Sequence, residues 1–270
     1  MAASNSDTNI SKPTSYIFEE ISCCNTPAFD EFYELFVEMF PDEGERETPE
    51  GFVQIAQLNQ PSDIQTRLGP WREILSVVRR GPAGPLVGGH VFGVTTSSAH
   101  RRFGYSVSVQ GIYTFLSSGA RGHLSFLREL KTYTLSRALD AYGFDREAAP
   151  ALIFLEVNNP EKMTAKQIAE DTARSGYNPA KRFSAYKLAG FRSLQFCYVQ
   201  PPLRADAQPI RYLDLMCYAD GKAALPADVV VAHLRAFFAI SVFKGDEASF
   251  KKAMAEIETT LQPGVLVNFA

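Results

Sequence analysis

Three β-rich stretches follow one another at residues 74–78, 86–94 and 105–116, and few folds accept what comes after them. A single long helical pattern spans residues 122–142, with Leu127, Leu130, Thr134, Ala138 and Tyr142 on one face and Gly143 as its stop. Residues 151–157, reading Ala-Leu-Ile-Phe-Leu-Glu-Val, then form a buried-strand pattern. Gly81-Pro82 and Gly84-Pro85 break the chain between the first two stretches. Antiparallel runs followed by a strand–helix–strand crossover predict an α/β domain built on a mixed, mostly antiparallel sheet flanked by helices.

The flanking segments fit this frame. Residues 16–18 read as a short strand. Thr26-Pro27 opens a helix whose stripe is Phe29, Phe32, Tyr33, Phe36 and Phe40, and Pro41 ends it. A second helix is expected from Thr48-Pro49 towards Leu58. Gly88-Gly89 inside a strand calls for a bulge or a close backbone approach. Residues 180–188 read as a helix capped by Gly190, and residues 191–199 and 210–218 as two more strands. Residues 229–238 are apolar almost all round, and Phe250, Met254, Ile257 and Leu261 give the last helix its stripe. The expected division is a polar tail over 1–15, an α/β domain over 16–220, and an added C-terminal helical segment over 221–270 packed on it.

Bulk properties exclude some classes. The chain has 270 residues, 46% of them apolar, 20 of them Phe, and a net charge of -3. That is a globular composition, with no basic footprint for nucleic acid. No run approaches the roughly 20 apolar residues of a membrane helix. Cys23, Cys24, Cys197 and Cys217 form no disulfide framework, and Cys197 and Cys217 sit in apolar runs that read as buried thiols. The histidines at 90, 100, 123 and 233 have no metal-ligand spacing, so no metal is expected, and a cytoplasmic location fits.

One loop carries candidate chemistry. Ser117-Ser118-Gly119-Ala120-Arg121-Gly122-His123-Leu124-Ser125 joins a strand to the long helix, and small residues at a helix N-terminus suit a phosphate, or simply a turn. Farther on stand Asn178-Pro179-Ala180-Lys181-Arg182, then Tyr186-Lys187-Leu188-Ala189-Gly190-Phe191, then Tyr198-Val199-Gln200-Pro201-Pro202-Leu203. Taken in order with the elements around them, these segments resemble the GNAT superfamily of acyl-CoA-dependent N-acetyltransferases. The Arg-Gly loop is similar to that family's Arg-Gly-x-Gly-x-Gly/Ala pyrophosphate loop. The tyrosine segment is similar to its Tyr-x-x-x-Gly-Phe signature, and the Asn-Pro and Tyr-Val-Gln-Pro segments resemble motifs of one branch. Leu124 and Phe126 replace the family's later glycines, which makes close backbone approach harder there.

The resemblance implies acetyl-CoA as co-substrate, with another acyl-CoA or an acyl carrier protein as alternative donors, and a small-molecule or peptide amine as acceptor. It implies donor contacts from Phe115, Leu116, Arg121, Gly122, His123, Leu124 and Ser125, with Asn158 and Arg182 beside them, and Tyr186 as the acid protonating the departing sulfur. Glu156, a carboxylate among Leu and Val on a core strand, is the candidate base, because burial raises a carboxylate's pKa. A salt bridge from Glu156 to Arg182 or Arg192, or a structural hydrogen bond, is the other reading. Glu43, Glu45 and Tyr113 are the expected acceptor contacts, the two glutamates lying in an acidic stretch that favours a cationic amine or is merely solvated. The polar segment 161–177 reads as a lid. A non-catalytic ligand- or partner-binding protein is the alternative function, its C-terminal helices offering a homodimer surface.

Overall fold

The computed structural model of the chain describes residues 15–41, 43, 46–60, 63–120, 124–145, 150–202 and 208–270. β1 (Tyr16–Glu20) leads to α1 (Pro27–Met39) and α2 (Pro49–Leu58). Thr26 and Thr48 cap these helices by accepting from Phe29 N and Gly51 N, with proline in the first turn of each. A short α3 (Asp63–Leu68) precedes β2 (Trp71–Arg80) and β3 (Leu86–Thr95). After α4 (Ser98–Arg102), β4 (Ser108–Leu116) and a 3-10 turn at Ser118–Ala120 run into α5 (Leu124–Ala141). β5 (Leu152–Asn158), α6 (Ala165–Ser175), α7 (Pro179–Leu188), β6 (Arg192–Ser193) and β7 (Leu213–Tyr218) complete the central layers. The chain ends with β8 (Ala224–Pro226), α8 (Ala227–Phe237), a π-helical turn at Phe238–Val242, α9 (Glu247–Thr260) and β9 (Leu266–Asn268).

Seven strands form one sheet in the order β1-β2-β3-β4-β5-β7-β6, and β8 pairs with β9 apart from it. Every neighbouring pair is antiparallel except β4 with β5, which the α5 crossover makes parallel. This is the mixed, mostly antiparallel sheet flanked by helices that the order of patterns predicts. One face is covered by α1 and α2, whose Phe29, Phe32, Phe36 and Phe52 meet Val77, Val91 and Phe115. Farther along that face, α8, α9 and the π turn enclose Trp71, Phe154 and Leu215. α5 and α7 cover the opposite face through Ala138, Leu139 and Tyr186, against Ile74, Phe92, Val109 and Met216.

Close approach explains the glycines of β3. A Cβ on Gly93 would collide with the Trp71 indole, and one on Gly89 would meet the rings of Phe32 and Phe115. Several expectations need correction. Residues 191–199 pair with β7 only at Arg192 and Ser193; beyond Leu194 the chain leaves the sheet, which is why Cys197 is exposed while Cys217 is buried. The polar 161–177 segment holds a helix, α6, started by a reciprocal Thr164–Gln167 capping box and ended by Gly176 at φ +65°. The polar tail 1–14 lies outside the described residues. No helix among the described residues is long and apolar enough to cross a membrane.

A buried polar chain ties the C-terminal helices to the sheet. Ser97 Oγ is 2.7 Å from His100 Nδ1, His100 Nε2 is 2.7 Å from Ser108 Oγ, Ser108 Oγ is 2.8 Å from His233 Nδ1, and His233 Nε2 is 3.0 Å from Gln110 Oε1. Gln110 donates its amide to Gly111 O, so its oxygen accepts from His233. Burial keeps both rings neutral, holding His100 down to about 4 and His233 well below the ordinary value. With neutral rings every proton in the chain is assigned: each histidine carries its own on Nε2, and the two serines donate to the Nδ1 atoms.

The unfolded chain, in which these histidines titrate normally, binds more protons below pH 6.5. Their contribution to stability is therefore complete above pH 6.5 and is lost as the pH falls towards 4. The stability advantage of the wild type over His100→Gln should shrink by about 1.4 kcal/mol per pH unit across that window, read by urea unfolding. A difference independent of pH would show that His100 is not held neutral.

Candidate active site

The site begins where two strands part. β4 pairs with β5 only from Ser108–Leu152 to Gly111–Leu155, although β4 runs on to Leu116 and β5 to Asn158. In β4 the register against β3 slips at the same point, with Val91 opposite Tyr113 and Phe92 opposite Gly111. The extra residue, Ile112, makes this a bulge and turns the remainder of β4 away from β5. A wedge opens between the strand ends.

Two cavities, each of about 550 Å³, flank the wedge. The first lies at the end of β4 and is largely apolar, lined by Phe40, Thr114, Phe115, Leu116, Leu124, Leu127, Arg182 and Tyr186. Of the residues expected to contact a donor, it gathers Phe115, Leu116, Leu124 and Arg182. Ser125 is exposed and outside this lining, and Arg121, Gly122 and His123 lie outside the described residues. Tyr186 packs edge-on against Phe191, ring centroids 5.8 Å apart, and no hydrogen bond from its hydroxyl reaches a described residue. Burial raises its pKa against the opposing pull of Arg182, which keeps the phenol protonated.

Asn158 and Arg182 meet on a third residue. Asn158 Nδ2 donates to Asp171 Oδ1 at 3.0 Å, and Arg182 Nη2 reaches Asp171 Oδ2 at 2.7 Å. The buried Asp171 of α6 thus ties β5 to α7 and fixes Arg182 on the cavity wall. In the sequence nothing distinguishes this aspartate from the polar residues around it.

The second cavity is polar and lies on the sheet face covered by α1, α2 and the π turn. Glu43, Glu47, Glu73, Tyr113, Glu156 and Lys244 are on its wall. Glu43 pairs with Arg46 at 3.3 Å, and Lys244 Nζ lies 2.7 Å from Glu47 Oε2. Glu45 lies outside the described residues. Burial raises the Tyr113 hydroxyl's pKa, and the charges of Glu47, Glu73 and Glu156 push it the same way.

Glu156 is in no salt bridge among the described residues. Its partners are Tyr198, which donates to Oε1, and Gln200, whose amide donates to Oε2 at 3.2 Å. The Tyr-Val-Gln segment therefore grips a carboxylate. Val199 alternates to the other side, and the segment is braced by a pair of 3.0 Å bonds between the backbones of Gln200 and Ile210. Burial lifts the Glu156 carboxyl to about 7, against the lowering effect of these donors. Glu73, which the strand pattern beginning at residue 74 passes over, shares the cavity and is also lifted to about 7 by burial. Among the described residues no group of three or more His, Cys, Asp or Glu is placed to hold a metal ion.

No family model matches the sequence, and no curated protein sequence matches it. Solved structures do resemble it, N-acetyltransferases and a tandem GNAT protein among them. Arabidopsis thaliana Naa60 in complex with acetyl-CoA is 12% identical over 76% of this chain and 97% of its own, with a TM-score of 0.39. Arabidopsis thaliana Naa50 with a bisubstrate analogue is 12% identical over 76% of this chain and 99% of its own, at 0.38. A tandem GNAT protein from the clavulanic acid biosynthesis pathway is 12% identical over 91% of this chain and 66% of its own, at 0.43. The likeness is distant, and the chemistry has to come from this chain's own residues.

Tyr198→Phe removes a donor that favours the ionised carboxylate, so Glu156 should titrate above about 7. Carboxyl carbon chemical shifts followed through a pH titration measure this. An unchanged or lower midpoint would mean that Tyr198 does not set the charge of Glu156.

Proposed function

We propose that the protein is an acyl-CoA-dependent N-acyltransferase of the GNAT type, moving an acetyl group from acetyl-CoA to an amine by direct attack. One observation carries the reading: a wedge between β4 and β5 separates two cavities, one with a protonated phenol and the other with a carboxylate poised near neutrality. Acid and base thus stand on opposite sides of a gap that a thioester can bridge.

The apolar cavity suits the donor's extended, amide-bearing arm. The start of α5 adjoins it through Leu124 and Leu127, and backbone N–H groups at a helix start suit a diphosphate. The polar cavity would hold the acceptor. An ammonium must lose a proton before its nitrogen can attack. Glu156 takes that proton, directly or through a water, and above about pH 7 is ionised for the task. As the carbon–nitrogen bond forms and the carbon–sulfur bond breaks, the nitrogen gives up its second proton to water and Tyr186 protonates the departing sulfur. Each group leaves turnover in the wrong protonation state and is reset by solvent.

The alternative, a ligand-binding protein without turnover, draws on the bulky Leu124 and Phe126 side chains at the donor cavity, where the buried Phe126 stands edge-on to Tyr16 at 5.0 Å. Calorimetry with acetyl-CoA, together with thiol release across a panel of amines, separates the two readings.

Tyr186→Phe should lower turnover about 10²-fold or more while acetyl-CoA binding stays nearly intact, and Glu156→Gln should do the same while abolishing the rise of kcat/KM through pH 7. Unchanged turnover in either variant removes that residue from the mechanism.

A further inference from the structure

The polar cavity contains a charge imbalance that its own residues leave unresolved. Both cations among the described residues of its wall are committed: Lys244 to Glu47 at 2.7 Å, and Arg46 to Glu43 and the carbonyls of Phe40 and Pro41. Glu156 and Glu73 have no cation bonded to them among the described residues. Glu73 is only 5% exposed. Its Oε2 accepts from Ser241 Oγ at 2.6 Å and from Trp71 Nε1 at 3.3 Å, which fixes the carboxylate's orientation. No described residue bonds its Oε1, on a side chain that lines the cavity. A carboxylate so buried needs a counter-charge or a proton.

We propose that Glu73 is a second recognition site in this cavity, taking an ammonium or similar cationic group on the far end of the acceptor, so that the acceptor class is a linear diamine or polyamine. The identification as an acceptor rests on the acyl-transfer reading; the site itself does not.

The register of the sheet sets the geometry. Glu73 pairs with Gly93, Gly93 with Gln110, and Gln110 with Phe154, while Glu156 lies two residues beyond Phe154 on the same face. With strands about 4.8 Å apart and about 3.3 Å per residue, the two glutamate Cα atoms are roughly 16 Å apart. Both side chains line the one cavity. Tyr113, on the same cavity wall, feels the charge of both. A flexible aliphatic chain with a cation at each end matches this arrangement: the amine at Glu156 loses its proton and reacts, and the one at Glu73 stays charged. The stem between them lies along Phe52, Ile55 and Ile112.

The test is calorimetry on the full chain without acetyl-CoA, titrating a series of α,ω-diamines and the n-alkylamines of matching length. At one favoured length the diamine should bind about tenfold or more tighter than its alkylamine, the size of a charge-assisted bond in a desolvated site. Glu73→Gln, which can still accept from Ser241 and Trp71, should erase that advantage and leave alkylamine affinity nearly unchanged. Ser241→Ala, which keeps the carboxylate, should retain the preference. Equal affinities for diamines and alkylamines at every length in the wild type, which requires no variant to fold, would overturn the proposal, as would an advantage that survives in Glu73→Gln. A Glu73-dependent diamine preference with no thiol released from acetyl-CoA would sink the acyl-transfer reading and leave the second cation site standing.

Discussion

One parallel pairing sits in an otherwise antiparallel sheet, and it is held for only four residues of each strand. Everything on either side of it is antiparallel. β1 to β4 pair antiparallel, β7 pairs antiparallel with β5 and with β6, and α5 forces the single parallel join by its crossover. The bulge at Ile112 ends that join by adding a residue to β4. Without the bulge, β4 and β5 would continue to zip together, the wedge would close, and Tyr113 and Glu156 would sit over continuous sheet. The two cavities are products of this local failure of pairing, and the rigid layers around it keep the failure in one place.

The rest of the core then determines how charge behaves beside the wedge. Helices α8 and α9 and the π turn roof the sheet face that carries Glu73 and Glu156, and the same roof keeps His233 and His100 neutral. Desolvation thus acts on both kinds of group in opposite directions: it lowers histidines and raises carboxylates. The histidines answer by sharing protons along a closed chain of donors and acceptors. The two glutamates cannot do this. Each receives two hydrogen bonds from side chains, too few to restore an ordinary carboxylate pKa, and so each stays near 7. Their neighbours orient them without bonding a cation to either, and Lys244 acts on Glu73 only through its charge.

Much of this frame was legible from the chain alone, and the losses have physical causes. Continuous apolar runs placed β3, β4 and β5 within a few residues, because those strands have buried residues on both faces, and a one-sided stripe placed α5. Proline and threonine punctuation placed the starts of α1 and α2. Residues 191–199 looked like a strand because apolar residues dominate them, but Phe191, Tyr198 and Val199 are buried outside the sheet, so composition gave burial and missed hydrogen bonding. Glu156 stood out as a carboxylate inside an apolar run. Glu73 was hidden because the apolar run begins one residue later and the strand does not; Trp71, two residues before it and on the same face, was the available signal. The bulge at Ile112 left no mark in the sequence, since only pairing with β3 reveals it.

The proposed acid and base are separated across the wedge. Tyr186 and Glu156 are raised by the same cause, burial, yet the shift makes the phenol a durable acid and the carboxyl a usable base, because one starts near 10 and the other near 4.5. Close together in one cavity they would hydrogen-bond to each other, tying up the phenol's proton and the carboxylate's lone pair. Placed on opposite sides of a sheet, with the parting strands as the passage between them, they can differ in protonation at neutral pH and still act on the two ends of one bond exchange. The Tyr198–Gln200 clamp strengthens this division. It holds Glu156 on the polar side with both carboxylate oxygens engaged, so that the carboxyl gains its proton from what enters that cavity and not from the phenol beyond the sheet.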